Sequence, residues 1–406
     1  MKNLALTYCT NVHPLADWAS WQSLIGRFGK SIREDLNWTA LPLGLWFPAS
    51  LISDPNASSQ KVIQLLAQNQ LSAFTCNAFP YGNFHDKVVK TKVYEPDWTD
   101  SKRLDYTIAC AKMMAEINSS SAFLSLSTLP LGWRVGWTNT KNQIAAENLC
   151  HYISWARNFF DAEDKSMALG LEPEPGCVLE TIDQVVEFWN QYLRPAAAKM
   201  GITENDLQKF FGICYDTCHQ AVQFEDAEEA LKKLSLNGIR IVKMQLSSAL
   251  EFKVANDEEG RAVRKQFIEE RFLHQTRIKT LEGMVSFDDL PEACLVADKQ
   301  DPVGLYNFPW RVHFHLPIHA EGMLAVNTGS SSNLIGTTRG EMLKAYHYAI
   351  QNKLCSHFEI ETYTWNVLPN EHRPQTDADL AKCIADEIRF IVSHTPDGVS
   401  INDHAA

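Results

Sequence analysis

Four short stretches of this 406-residue chain set carboxylates or imidazoles at the end of an apolar run. They are Gly170-Leu171-Glu172-Pro173-Glu174, Cys214-Tyr215-Asp216-Thr217-Cys218-His219, Val312-His313-Phe314-His315-Leu316-Pro317 and Phe358-Glu359-Ile360-Glu361-Thr362. A strand buried on both faces should be apolar, because an unpaired charge there costs several kcal/mol. Repeating that cost on separate strands points to one shared polar centre. Carboxylates mixed with imidazoles are the donors of a divalent cation such as Mn²⁺, Mg²⁺ or Zn²⁺.

Strand parity sorts these residues, since positions i and i+2 share a face. Glu359 and Glu361 then face one way, with Phe358 and Ile360 on the other. His313 pairs with His315, and Lys243 with Gln245. The reading places Glu361, Gln245 and His315 in an upper layer, joined by Glu172 and Asp216 as a set of metal ligands. Glu359, Lys243 and His313 fall one layer deeper, as an ion pair with an imidazole bridge.

The elements that must carry these residues alternate along the chain. Strands are predicted at 4–12, 41–47, 71–77, 122–129, 168–172, 211–216, 239–246, 312–316 and 358–361. Helices are predicted between most of them. Such alternation implies a parallel sheet, and about eight repeats imply a closed (β/α)8 TIM barrel over residues 1–406. No glycine-rich loop follows the first strand, so a dinucleotide site has no support. Nine strands are one too many. Segment 249–310 therefore reads as an insertion near the seventh strand, with a hairpin near 275–287, and either 239–246 or 312–316 lies outside the barrel. His274 in that insertion reads as a surface residue, and 401–406 as a loose tail.

Composition narrows the function. Hydrophobic residues at 45% and charged residues at 21% give an ordinary core. A net charge of −12 opposes nucleic-acid binding. No apolar run is long enough for a membrane span, and the N-terminus does not read as a signal peptide. The ten cysteines lack framework spacing, so they read as reduced core thiols of a cytoplasmic protein. Nothing in the sequence sets an oligomeric state.

Together the motifs resemble the xylose-isomerase-like TIM barrel superfamily, which includes sugar isomerases, ketose 3-epimerases and the endonuclease IV branch. Leu171-Glu172 resembles the fifth-strand glutamate ligand, Asp216-Thr217-Cys218-His219 the sixth-strand Asp-x-x-His element, and Ile360-Glu361-Thr362 the closing-strand glutamate. The chain resembles more closely the EboE-type metabolite traffic proteins. That match rests on Thr10-Asn11-Val12-His13-Pro14, the stretch 77–85, Val93-Tyr94-Glu95-Pro96-Asp97-Trp98, Leu171-Glu172-Pro173-Glu174-Pro175 and Glu361-Thr362-Tyr363-Thr364-Trp365. One departure stands out. The epimerases place a histidine ligand on the seventh strand, and Gln245 stands there here.

The resemblance implies an isomerase or epimerase of a small polyhydroxylated or sugar-phosphate-like metabolite. A bound cation anchors substrate oxygens, and carboxylates move a proton through an enediolate. Glu172 and Glu361 are the expected catalytic pair, flanking the substrate, with Glu174 an alternative acid. His219 is a substrate contact or a further ligand. Asn77 and His85, in and after a Phe- and Tyr-rich loop, and His13 at the mouth complete the expected binding set with His313. A metabolite-binding or transfer protein on the same barrel, and a metal-dependent phosphoesterase, are the alternatives.

Overall fold

Each predicted strand from the first to the seventh is apolar enough to be buried on both faces, and these strands do close into a ring. In the computed structural model, residues 3–15, 17–118, 121–160, 165–253, 258–299, 304–321 and 335–401 are described. The ring uses β1 (Asn3–Cys9), β2 (Leu41–Trp46), β3 (Leu71–Asn77), β4 (Phe123–Thr128), β5 (Ser166–Leu171), β6 (Phe211–Asp216) and β7 (Ile241–Leu246). Between β7 and the last barrel strand come β8 (Ser248–Phe252), β9 (Thr276–Lys279), β10 (Met284–Phe287), β11 (Trp310–Leu316) and β12 (Ile335–Thr337). The barrel is completed by β13 (His357–Ile360), which pairs in parallel with both β7 and β1. A short β14 (Ser400–Ile401) then adds to β1 through Asn3 and Leu4. The tail predicted at 401–406 is thus strand-paired at its first residue, and 402–406 lie outside the described residues.

The choice left open between two seventh strands is settled by pairing. β7 lies between β6 and β13. β11 pairs antiparallel with β8 and β9 in a separate five-stranded sheet, ordered β10-β9-β11-β8-β12. Only Ser247 separates β7 from β8, so the chain leaves the barrel and enters this sheet at once. The predicted hairpin is present as β9 and β10, paired from Thr276↔Phe287 to Lys279↔Met284.

Helices cover the barrel where apolar residues recur at helical spacing. The helix Trp18–Leu36 buries Trp18, Trp21, Ile25, Phe28 and Ile32, and Asp17 with Ser20 forms a capping box at its start. The helical stretch after β5 is broken into Ile182–Phe188, a π turn at Trp189–Leu193 and Arg194–Lys199. Pro195 lacks an amide hydrogen to donate, and the wider turn precedes it. No helix among the described residues is long and apolar enough to cross a membrane.

Candidate metal centre at the barrel mouth

The floor of the site is an ion pair. Lys243 Nζ donates to Glu359 Oε2, and both side chains are almost fully excluded from solvent. Burial lowers the Lys243 pKa, but Glu359 outweighs it and the net direction is upward. Gly44 makes room for this carboxylate: a Cβ there would sit 1.6 Å from Glu359 Oε1. Register also corrects the layers read from parity. Gln245 is in register with both Glu359 and Asp216, so it joins the ion-pair floor to the Asp216 side of the layer above. Its Oε1 accepts from Cys214 Sγ at 3.0 Å. His313 is not in this layer, because it belongs to the inserted sheet.

Above the floor, β5, β6 and β13 deliver Glu172, Asp216 and Glu361 just past or at their C-terminal ends. These three buried carboxylates offer oxygens all within 4.8 Å of one another. Glu361 Oε1 accepts from Asn11 Nδ2 at 2.7 Å and Asn77 Nδ2 at 2.9 Å. Asp216 Oδ1 accepts from Ser247 Oγ at 2.7 Å and from the His219 amide at 2.9 Å. Glu172 Oε2 and Asp216 Oδ2 are buried without a protein partner. Burial, followed by the neighbouring carboxylates, holds the Glu172 and Glu361 pKa values well above the usual range. Like charges crowded in this way call for a cation. The spacing also corrects one expectation: carboxylates this close converge on one point and do not flank a sugar from two sides.

Three imidazoles complete the centre. His219 Nδ1 lies 3.1 Å from Pro173 O, His313 Nδ1 2.7 Å from Gln275 Oε1, and His315 Nδ1 2.5 Å from Glu361 O. Each partner is an acceptor, so each Nδ1 carries the proton and each Nε2 presents a lone pair. Those Nε2 atoms face each other, with His313 Nε2 at 3.1 Å from both His219 Nε2 and His315 Nε2. Tetrahedral zinc with bonds of about 2.0–2.1 Å would set such atoms about 3.3 Å apart. Tyr363 Oη donates to His313 Nε2 at 3.3 Å. Burial lowers all three pKa values, His219 to about 4. Neutral rings with converging lone pairs and fixed Nδ1 protons are the state that binds metal. The carboxylate set therefore fits a divalent cation, and Asp216 also groups with His219 and His315, whose ligand atoms lie within 4.8 Å of one another.

The remaining predicted residues divide. Asn77 and Glu174 line a partly open cavity together with Glu172, His219, His313 and Glu361. Glu174 Oε1 accepts from Tyr94 Oη at 2.7 Å, and burial raises its pKa to about 8. His13 is a core residue instead of a mouth residue: it is buried, stacks on Phe28 at 4.1 Å, and bonds Tyr8 Oη at 3.2 Å. His85 does not line the cavity but bonds the Asn11 carbonyl at 2.6 Å, which steadies Asn11 on Glu361. His274 is buried and not on the surface, donating toward His313 O at 2.8 Å and contacting Glu269 Oε1 at 2.8 Å. Sequence reasoning passed over Asn11, Tyr94, Gln275 and Tyr363 as site residues. Asn11, Tyr94 and Tyr363 each lie inside a stretch that carries the resemblance, and that position is the available signal; Gln275 has none.

No protein-family profile matches this sequence, and a search of curated proteins finds no match. Among solved structures the chain is similar to a xylose isomerase-like TIM barrel protein from Mycobacterium smegmatis in complex with magnesium. That pair has 10% identity and a TM-score of 0.49, covering 96% of this chain and 97% of that one. It is similar also to the IolI protein with a bound zinc atom, at 11% identity and a TM-score of 0.47, covering 97% and 100%. An L-ribulose 3-epimerase gives 9% identity and a TM-score of 0.45, covering 97% and 100%.

Proposed function

We propose that this chain is a divalent-metal-dependent isomerase or epimerase of a small polyhydroxylated metabolite, working by proton transfer through an enediolate. The observation that carries this reading is the set Glu172, Asp216 and Glu361, whose oxygens converge beside a partly open cavity with Glu172 Oε2 and Asp216 Oδ2 unpartnered. A cation bound by these three, with His315 in reach of Asp216, supplies polarisation of a substrate carbonyl and hydroxyl. Glu172 is the proton acceptor, since its free oxygen faces no protein donor. Glu361 is fixed by two amide donors and serves as an anchor for the cation. Glu174, held by Tyr94 on the same cavity, supplies the second carboxyl.

One observation favours a second reading. Glu174 with His219 and His313 forms a donor group separate from Glu172, Asp216 and Glu361, and two ions per chain would suit metal-assisted hydrolysis instead. Metal analysis of purified wild type beside Asp216→Asn and Glu361→Gln is the test. The isomerase reading expects one ion per chain in wild type, lost in both variants, and solvent deuterium entering a ketose substrate from D₂O. No metal in wild type, or unchanged content in both variants, overturns it. Ligand binding without exchange favours a metabolite-binding protein on the same barrel.

A further inference from the structure

The cavity has two unlike ends, and they define a substrate class. The inner end holds the carboxylates and imidazoles. The outer end is aromatic: Phe84, Phe272 and Tyr363 form a ring of mutual contacts with centroids 5.0–5.1 Å apart. They come from three places, the loop after β3, the segment before β9 and the loop after β13, so no single element explains the grouping as its own packing. Val89, Val93 and Leu273 extend the apolar wall.

Among the described residues no uncommitted lysine or arginine lines the cavity to meet a phosphate. Lys90 is the one lysine or arginine lining the cavity. Its Nζ is committed to Asp289 Oδ2 at 2.6 Å and Phe272 O at 2.7 Å. The amides of Cys218 and His219, at the start of the helix beside the site, are already taken by Ser247 Oγ and Asp216 Oδ1. Barrels of this class often hold phosphate in the loops after the seventh and eighth strands. In this chain the inserted sheet occupies the first of those places.

Building on the proposed metal-dependent chemistry, we infer that the substrate is not phosphorylated and carries an apolar or aromatic group beyond its vicinal oxygens. The oxygens meet the carboxylate end, and the ring lies against Phe84 and Phe272 beneath the clasp that Lys90 makes between segment 89–94 and the insertion. A phosphate at that outer end would lose its water without gaining a free lysine or arginine.

The test is calorimetric titration of the protein as purified with phenyl β-D-glucoside, D-glucose and D-glucose 6-phosphate. The phenyl glycoside is expected to bind about ten-fold or more tightly than either of the others. In Phe272→Ser that preference should fall below about three-fold, with metal content unchanged. Equal affinities, tighter binding of the phosphate ester, no binding of the phenyl glycoside, or an unmoved preference in Phe272→Ser each overturn the inference. The two readings fail separately: absence of metal removes the proposed chemistry, whereas the ranking of the three ligands decides the substrate class with or without it.

Discussion

Removing Lys243 tests whether the ion pair under the metal centre is a structural floor. In Lys243→Met the Glu359 carboxylate keeps its place, 1% exposed at the side chain, and loses its one cationic partner among the described residues. Breaking one half of a buried pair costs about 3–5 kcal/mol, a large part of the roughly 5–15 kcal/mol that holds a domain together. Replacing both members by apolar residues, Lys243→Met with Glu359→Leu, should instead be neutral or stabilising by up to about 4 kcal/mol. The two single variants and the double form a cycle, read by urea denaturation followed by tryptophan fluorescence. The layer above responds too. Burial and the neighbouring carboxylates raise the Glu172 and Glu361 pKa values, and Lys243 is the cation that opposes them. The single Lys243→Met variant should therefore take up metal less well at neutral pH, whereas the double variant, which also loses the Glu359 charge that raises the Glu361 pKa, should stay nearer wild type. A single variant costing less than about 1 kcal/mol, or a double variant falling as far as the single, would refute this account.

Gly44→Ala drives a methyl group to within 1.6 Å of Glu359 Oε1, so it should displace the carboxylate and cost about 3 kcal/mol or more; a loss under about 1 kcal/mol in the same denaturation assay would show that the carboxylate has another place to go. Glu387 is buried, accepts from Thr362 Oγ1 at 2.6 Å and the Ile318 amide at 3.1 Å, and burial raises its pKa from 4.5 to about 8. The folded chain keeps a proton that the unfolded chain releases, so this contribution is complete below pH 4.5 and is lost as pH rises through about 8. Glu387→Gln should match wild type near pH 4.5 and gain on it by about 1.4 kcal/mol per pH unit up to about pH 8; stability curves that run parallel would count against the assignment.

Alternation of apolar runs with helical stretches was enough to expect a barrel, because a strand buried on both faces leaves a continuous apolar signature. Parity on 358–361 and 243–245 identified inward-facing polar residues before any pairing was known. Parity does not reach across strands, however. It gives the face of a side chain but not its height in the barrel, and register with both Glu359 and Asp216 made Gln245 the join between the two layers. His13 shows a second limit. A histidine after a strand reads as a mouth residue, yet a stack on Phe28 and a bond to Tyr8 hold it in the core.

The sequence alone determined which residue types pay no structural role as strand fillers: Glu172, Asp216, His315 and Glu361 are costly in apolar strands unless something charged joins them. Those choices are local and one-dimensional, so they can be read along the chain. The tertiary structure decided which of them meet. β11 lies outside the barrel, and its antiparallel pairing with β8 and β9 folds His313 and His315 back over the mouth onto His219. Convergence of those lone pairs depends on contacts between residues 94 apart and on the acceptors that fix each ring, and neither leaves a periodic trace in the sequence.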